Sequence, residues 1–208
     1  MKYKVSENGR SMVEMMGYMA VMLALITMIG RIVTNAFDEY KYSKASLQLT
    51  DLADAIARAA AVEPNYSDIV KMVNGTHEDA AKNQQGLKII PGTFRLVGRK
   101  ILHAFGGEVK VDLPPSEIGG NDKFAIKMEG LKKRQCVEMA MKDWSKNQNV
   151  DLYAVIINKT NYWYWPVYSG EVDNVLPVTR VKLTGTGEVG STAQCSKEKD
   201  NDIIWVFN

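Results

Sequence analysis

The residue whose chemistry stands out most in this chain is Glu14, a carboxylate at the start of an apolar segment. From Met15 to Gly30 the chain carries no charged side chain, and the next charge is Arg31. An ionised group at the centre of a membrane span costs roughly 2.5–3.5 kcal/mol on insertion scales. Glu14 is therefore a candidate functional residue, and the question is which group pairs with it.

Candidates for catalysis are isolated from one another. His77 and His103 are the only histidines, and neither lies in a cluster with metal-ligand spacing or in a Ser/His/Asp grouping. Residues Gly185–Gly190 contain a G-x-G-x-x-G pattern, but no βαβ pattern surrounds it, which favours a flexible loop over a nucleotide site. The sequence therefore predicts no catalytic residue and no cofactor, and a protein that is not an enzyme.

Two further groups late in the chain have alternative interpretations. Glu198, Asp200 and Asp202 are close in sequence; they form either a calcium loop or solvated charges beside the last strand, and we predict no metal site. The segment Tyr162–Pro166 is the densest aromatic cluster. It either packs on the core as a sheet edge or hairpin, or forms an exposed patch for subunit contact or adhesion.

Charge and cysteine usage limit the class of protein. With 26 basic and 24 acidic residues, the chain lacks the strongly basic face of a nucleic-acid binder, and no nucleic-acid partner is predicted. Cys136 and Cys195 have no metal-ligand spacing. They are either two buried thiols in a reduced protein or, if the apolar segment exports the rest of the chain, a disulfide.

The apolar segment follows the basic residues Lys2, Lys4 and Arg10, so the positive-inside rule keeps the N-terminus cytoplasmic and translocates the remainder. One interpretation is a cleaved signal peptide, for which residues 34–36 offer a weak cleavage site. Another is an uncleaved anchor of about 20 residues. Neither explains Glu14.

The sequence around Glu14 predicts one long helix, which is the first element of the fold. No proline interrupts residues 11–62, and Pro64 disfavours helix at the residue before it. We predict an apolar half over 10–33 and an amphipathic half over 34–62. The amphipathic half is expected to pack on a sheet through a face that contains Phe37, Tyr40, Leu47, Leu52, Ile56 and Ala59.

The remainder, 63–208, predicts a globular α+β region. It begins with a short helix over 67–73, and a second helix over 131–144 carries Cys136. Alternating or clustered apolar residues bounded by Gly and Pro predict strands at 88–90, 94–97, 108–113, 123–128, 152–158, 178–183 and 203–207. Strands that alternate with few helices favour an antiparallel sheet.

The stretch Gly9-Arg10-Ser11-Met12-Val13-Glu14 resembles the processing motif of type IV prepilins, in which a glutamate is the fifth residue after the cut. The resemblance implies a leader over 1–9, cleavage after Gly9 by a prepilin peptidase, and N-methylation of Arg10. The family usually has Phe or Met at the position of Arg10. The new α-amine of a neighbouring subunit is then the expected partner of Glu14 in assembly.

The globular part resembles type IVb-like pilins in pattern. The residues are His103-Ala104-Phe105-Gly106-Gly107 before a strand, Cys136 on a helix, and Cys195 before the last strand. The resemblance implies a pilin fold and a disulfide-bounded C-terminal region. It also implies polymerisation with copies of itself, using the pilus assembly machinery of a bacterial inner membrane, into an extracellular fibre. The alternatives are a minor pilin, a type II secretion pseudopilin, or more remotely a membrane-anchored periplasmic enzyme or binding protein.

Overall fold

A computed structural model describes residues 11–62, 65–74, 89–98, 100–116, 118, 122–142, 144, 151–158, 161–164 and 194–208. Within these residues the protein is α+β, with a long N-terminal helix, two short helices and an antiparallel sheet. The chain divides into two compact units, Met1–Lys41 and Tyr42–Asn208.

The long helix α1 covers Ser11–Ala60 without interruption, as the proline-free sequence predicts. It ends two residues earlier than predicted, in a turn at residues 61–62. There the amide of Ala61 still bonds to Ala57, whereas that of Val62 bonds to Ala59 in the tighter geometry of a 3₁₀ turn.

Two short helices follow. Helix α2 covers Tyr66–Asn74, and the Asn65 side chain caps it by accepting a hydrogen bond from the Ser67 amide at 3.0 Å. Helix α3 covers Lys133–Met141. It is shorter than predicted at both ends: the carbonyl of Lys132 accepts its first bond, and Lys142 is already extended.

The sheet has seven strands in the order β1-β2-β3-β4-β7-β5-β6, and every pair is antiparallel. Their bounds are Arg95–Val97 (β1), Lys100–Leu102 (β2), Glu108–Asp112 (β3), Phe124–Leu131 (β4), Leu152–Ile157 (β5), Asn161–Tyr164 (β6) and Asn201–Phe207 (β7). The C-terminal strand β7 therefore lies between β4 and β5, and the last residues of the chain are in the middle of the sheet.

The core lies between one face of this sheet and the part of α1 that belongs to the second unit. Leu49, Leu52 and Ile56 are fully buried there, with Trp205 and Phe124 among the largest buried side chains. Burying each such side chain contributes about 1.5–3 kcal/mol. Within the second unit, residues 45–56 of α1 pack in the core beside the sheet, whereas 34–41 belong to the first unit.

The predicted buried face of α1 is only partly right. Leu52 and Ile56 are buried, but Phe37, Tyr40 and Leu47 are exposed. The buried stripe instead contains Ala45, Gln48, Leu49 and Ala53. Alanines allow close approach of helix and sheet, and the larger side chains at 40 and 47 lie on the opposite face.

The strand predictions differ in detail. Ile89 has a helical backbone and Ile90 lies in a bend, so the strand predicted at 88–90 is wrong where the structure describes it. Strand β2 was not predicted because its three residues are too few to show an alternation of apolar and polar side chains. The strand predicted at 178–183 lies outside the described residues.

Candidate functional site

The apolar part of α1 is the candidate membrane-inserted segment. Among the described residues, α1 is the one helix long and apolar enough to cross a membrane, and none of its most apolar window is buried. From Glu14 to Arg31 the helix rises about 25 Å at 1.5 Å per residue. This is close to the roughly 30 Å thickness of a bilayer's hydrocarbon core. An apolar surface of this length exposed around the whole helix requires lipid or other protein to cover it.

Glu14 lies in the first turn of α1 as the structure describes it, and it is exposed. No hydrogen bond or ion pair joins it to any residue of the described ranges. The threonines of the segment behave differently. The Thr27 hydroxyl donates to the Ala24 carbonyl and the Thr34 hydroxyl to that of Gly30, both at 2.8 Å. The helix thus satisfies the Thr27 and Thr34 hydroxyl groups, whereas the Glu14 carboxylate has no partner among the described residues.

Among the described residues, no packing contact requires glycine at Gly17 or Gly30. A Cβ added at either position meets no atom within 4 Å, so an alanine fits in the isolated chain and favours helix by about 1 kcal/mol. Two explanations remain for these glycines. They let neighbouring helices approach closely in a membrane, or they loosen the helix when it leaves the lipid.

Gly9 and Arg10, the predicted processing and methylation positions, lie outside the described residues, so both remain predictions. The same is true of His77 and of the glycine-rich residues 185–190. The aromatic cluster is described only in part: Asn161–Tyr164 forms β6, which pairs with β5 in a hairpin, while the side chains and Trp165 lie outside the described set.

A second region of the candidate site is built around the disulfide. Cys136 on α3 is bonded to Cys195, 59 residues later, and both residues are fully buried. The predicted pairing is confirmed. The backbone amide of Lys133 also donates to the Glu198 carbonyl at 3.3 Å. The start of α3 is therefore joined to the loop 194–200 both covalently and by backbone hydrogen bonding.

The side chain of Asn201 forms hydrogen bonds that stabilise this loop. Asn201 was not identified from the sequence. Its side chain is fully buried and donates to the Leu131 carbonyl at 3.1 Å and to that of Lys197. Its oxygen accepts from the Lys197 amide at 3.2 Å and from the side chain of Asn158 at 3.1 Å. Four hydrogen bonds to one buried amide fix the loop geometry independently of the disulfide.

An ionic network lies on the face of the sheet that is opposite to the face packed against α1. Glu129 accepts from Lys110 at 2.9 Å and from Lys127, and Lys127 also contacts Asp202 at 3.2 Å. Burial raises the pKa of Glu129, but the bonds from the two lysines outweigh it and hold the pKa below its ordinary value. Burial likewise disfavours the charge of Lys127, yet its bonds to Glu129 and Asp202 leave its pKa raised.

Asp202 is thus part of an ion pair. Among the described residues no group of three or more potential metal ligands occurs, Glu198, Asp200 and Asp202 included.

The motif from His103 to Gly107 forms a tight turn before β3. The Gly106 amide donates to the His103 carbonyl at 2.8 Å, and the His103 amide to the Gly107 carbonyl at 3.0 Å. A Cβ at Gly107 would lie 2.0 Å from the Glu129 carbonyl oxygen and 2.4 Å from the His103 ring. The second glycine of the motif is therefore needed because β4 passes directly over it.

Gln48 connects this turn to α1. Its side chain is almost fully buried, accepts a hydrogen bond from the Ala104 amide at 2.8 Å and donates to the Thr93 carbonyl at 2.7 Å. Sequence reasoning missed Gln48. The signal that could have found it is a polar residue on a helix face otherwise occupied by Ala45, Leu49 and Leu52.

No model of a known protein family matches this chain, and no curated protein is significantly similar to it.

Proposed function

We propose that this protein is a type IV pilin-like structural subunit, with no enzymatic role, which polymerises from a bacterial inner-membrane pool into a surface fibre. The observation that carries the proposal is Glu14. It is an exposed carboxylate at the start of an apolar helix, and no described residue pairs with it. The resemblance of Gly9–Glu14 to the prepilin motif supplies the missing partner, an α-amine created by cleavage.

In the proposed mechanism, a prepilin peptidase cuts after Gly9 and the new N-terminus at Arg10 is methylated. Methylation keeps the amine cationic at neutral pH. When subunits dock through their apolar helices, Glu14 of one subunit meets this cation on another. A carboxylate in an apolar surrounding is heavily penalised while unpaired, so only a correctly aligned neighbour relieves the penalty. Glu14 therefore selects the register of assembly.

The processing step is tested by mass spectrometry of the mature chain. We expect an N-terminus at Arg10 with the added mass of a methyl group. A chain that begins at Met1, or near Phe37 after signal-peptide cleavage, would contradict the proposal.

The assembly step is tested by Glu14→Gln, which keeps the size of the side chain and removes its charge. Glu39→Gln is the matched control, because Glu39 is also an exposed acid on α1 but lies beyond the apolar half. We expect normal processing in both variants and fibres only in the control. Fibres of normal length and number from Glu14→Gln would refute the role of the carboxylate. The share of this chain in purified fibres distinguishes a main subunit from a minor pilin or pseudopilin.

A second candidate function, that of a membrane-anchored exported binding protein, is favoured by one observation. A cavity of about 730 Å³ lies beside α2 on the face of the sheet that carries the ionic network. Its apolar lining includes Val70, Leu113 and Ile204, and its volume is within the range of small-molecule sites. A chain that is never found in fibres, but is retained in the membrane with an intact globular unit, would favour this function.

A further inference from the structure

The buried histidine of the second unit has both ring nitrogens engaged. His103 is 3% exposed. Its Nε2 lies 3.0 Å from the Glu129 carbonyl oxygen, and its Nδ1 accepts a hydrogen bond from the Phe105 amide at 3.2 Å. Because an amide N–H can only donate, Nδ1 carries no proton and Nε2–H is the donor to Glu129. The neutral ring is therefore fully satisfied.

A second proton has no place in this arrangement. It must bind at Nδ1, where it meets the N–H of Phe105, so the bond that closes the turn is lost. It also places a charge in the core, where burial is costly. Burial accordingly lowers the pKa of His103, and the bond to the Glu129 carbonyl opposes this only in part.

No charged side chain contributes to that shift. The ionisable groups on the surrounding elements are largely paired with one another: Lys100 with Glu108, and Lys110 and Lys127 with Glu129. On α1 the ionisable residues nearest in sequence to Gln48 are Asp51, Lys44, Tyr42 and Asp54. The ring centroids of Tyr42 and Phe105 are 5.1 Å apart. None of the carboxylates among these groups contributes to the pKa shift of His103.

The turn that His103 closes is also the attachment point of α1 in this unit. The Ala104 amide, next to His103, donates to Gln48, and Phe105 packs on Tyr42. A turn that opens at Phe105 therefore disturbs both contacts from α1.

We propose that His103 is an acid-sensitive contact: when its ring is protonated, the turn 103–107 opens and residues 42–60 of α1 loosen from the sheet. The inference concerns the second unit alone and holds whether or not the chain polymerises.

The direction of the effect follows from linkage. An unfolded histidine titrates near 6.5, and the folded form binds its proton only at lower pH. The unfolded state therefore binds more protons below pH 6.5, and stability falls as the pH decreases. A single group of this kind approaches a tenfold loss in the folding equilibrium constant per pH unit, until the folded pKa is reached.

The experiment is urea unfolding of the full chain in detergent between pH 7.5 and 5.5, followed by tryptophan fluorescence. His103→Gln keeps an N–H donor for Glu129 and cannot titrate, and His77→Gln is the matched control because the chain has only these two histidines. We expect the folding equilibrium constant of the wild type and the control to fall between pH 6.5 and 5.5, by at most about fivefold. His103→Gln should lose little. The same pH dependence in His103→Gln would overturn the proposal.

A second measurement does not depend on how the variant folds. Histidine ring signals in NMR spectra of the wild type, assigned by comparison with His77→Gln, report the titration of His103 directly. We expect its titration below 6.5, accompanied by faster hydrogen exchange at the Phe105 amide. A ring that titrates at 6.5 or above, while the Phe105 amide stays protected, would refute the proposal.

Discussion

The disulfide gives a stability prediction whose magnitude follows from its place in the chain. Cys136 and Cys195 are separated by 59 residues, and the bond restricts a loop of that length in the unfolded state. The loop-entropy relation for about 60 residues gives roughly 14 cal/mol/K, which is about 4 kcal/mol at 25 °C. We expect Cys136→Ala/Cys195→Ala to lower the free energy of unfolding by about this amount.

The structure also indicates whether the lost stability arises from the native or the unfolded state. Without the disulfide, Asn201 still bonds to Leu131, Lys197 and Asn158, and Lys133 still bonds to Glu198. The native loop is therefore expected to persist, and the effect is on the unfolded chain. A less restricted unfolded chain exposes more surface, so the denaturant slope should increase together with the loss of stability.

The assay is urea unfolding of the detergent-solubilised full chain, with near-ultraviolet circular dichroism as a check on native packing. Ser196→Ala is a suitable control because Ser196 is exposed beside Cys195, and we expect a change within about 0.5 kcal/mol. A loss below about 1 kcal/mol with an unchanged slope would refute the unfolded-state argument. A large loss with an altered native spectrum would show that the disulfide, and not Asn201, maintains the loop.

Two further predictions concern packing in the second unit and use the same unfolding measurement. Gly107→Ala forces a methyl group against the Glu129 carbonyl and should lower the free energy of unfolding by about 3 kcal/mol or more. Gly92→Ala is its control, because a Cβ there meets nothing within 4 Å. Equal stabilities of the two variants would contradict the close approach of β4 to Gly107. Leu52→Ala should cost about 2–5 kcal/mol because Leu52 is fully buried, whereas Leu47→Ala, 61% exposed, should change stability by less than about 0.5 kcal/mol. The reverse order would show that Leu47, and not Leu52, lies on the buried face of α1.

The long helix and the disulfide could be predicted because each depends on a local or countable property. An apolar run that continues without proline into residues with helical spacing favours a helix, and two cysteines that are oxidised within one chain can pair in only one way. Strands with clear alternation, such as Phe124–Leu131, were also located to within a few residues. These predictions did not require knowledge of which elements meet.

The features that were missed depend on contacts between distant parts of the chain. The sequence of α1 offers two apolar stripes, one through Tyr40 and Leu47 and the other through Ala45 and Leu52. Which stripe is buried depends on the shape of the sheet opposite. Similarly, Asn201 and Gln48 are ordinary polar residues until the fold surrounds each with backbone groups that need partners. The position of β7 between β4 and β5 is a property of topology that no local pattern encodes.

The contrast between Gln48 and Glu14 bears on function. Both are polar residues on one helix among apolar neighbours, and apolar surroundings penalise both. The chain provides Gln48 with two backbone partners at 2.7 and 2.8 Å, whereas none of the described residues pairs with Glu14. The fold requires a polar side chain at Gln48 because backbone groups bond to it. It does not require a carboxylate at Glu14, where mutation to an apolar residue would break no hydrogen bond or ion pair among the described residues. Under the proposed function Glu14 has its partner outside the folded subunit, and the loss of fibres in Glu14→Gln, with fibres intact in Glu39→Gln, is the result that this proposal requires.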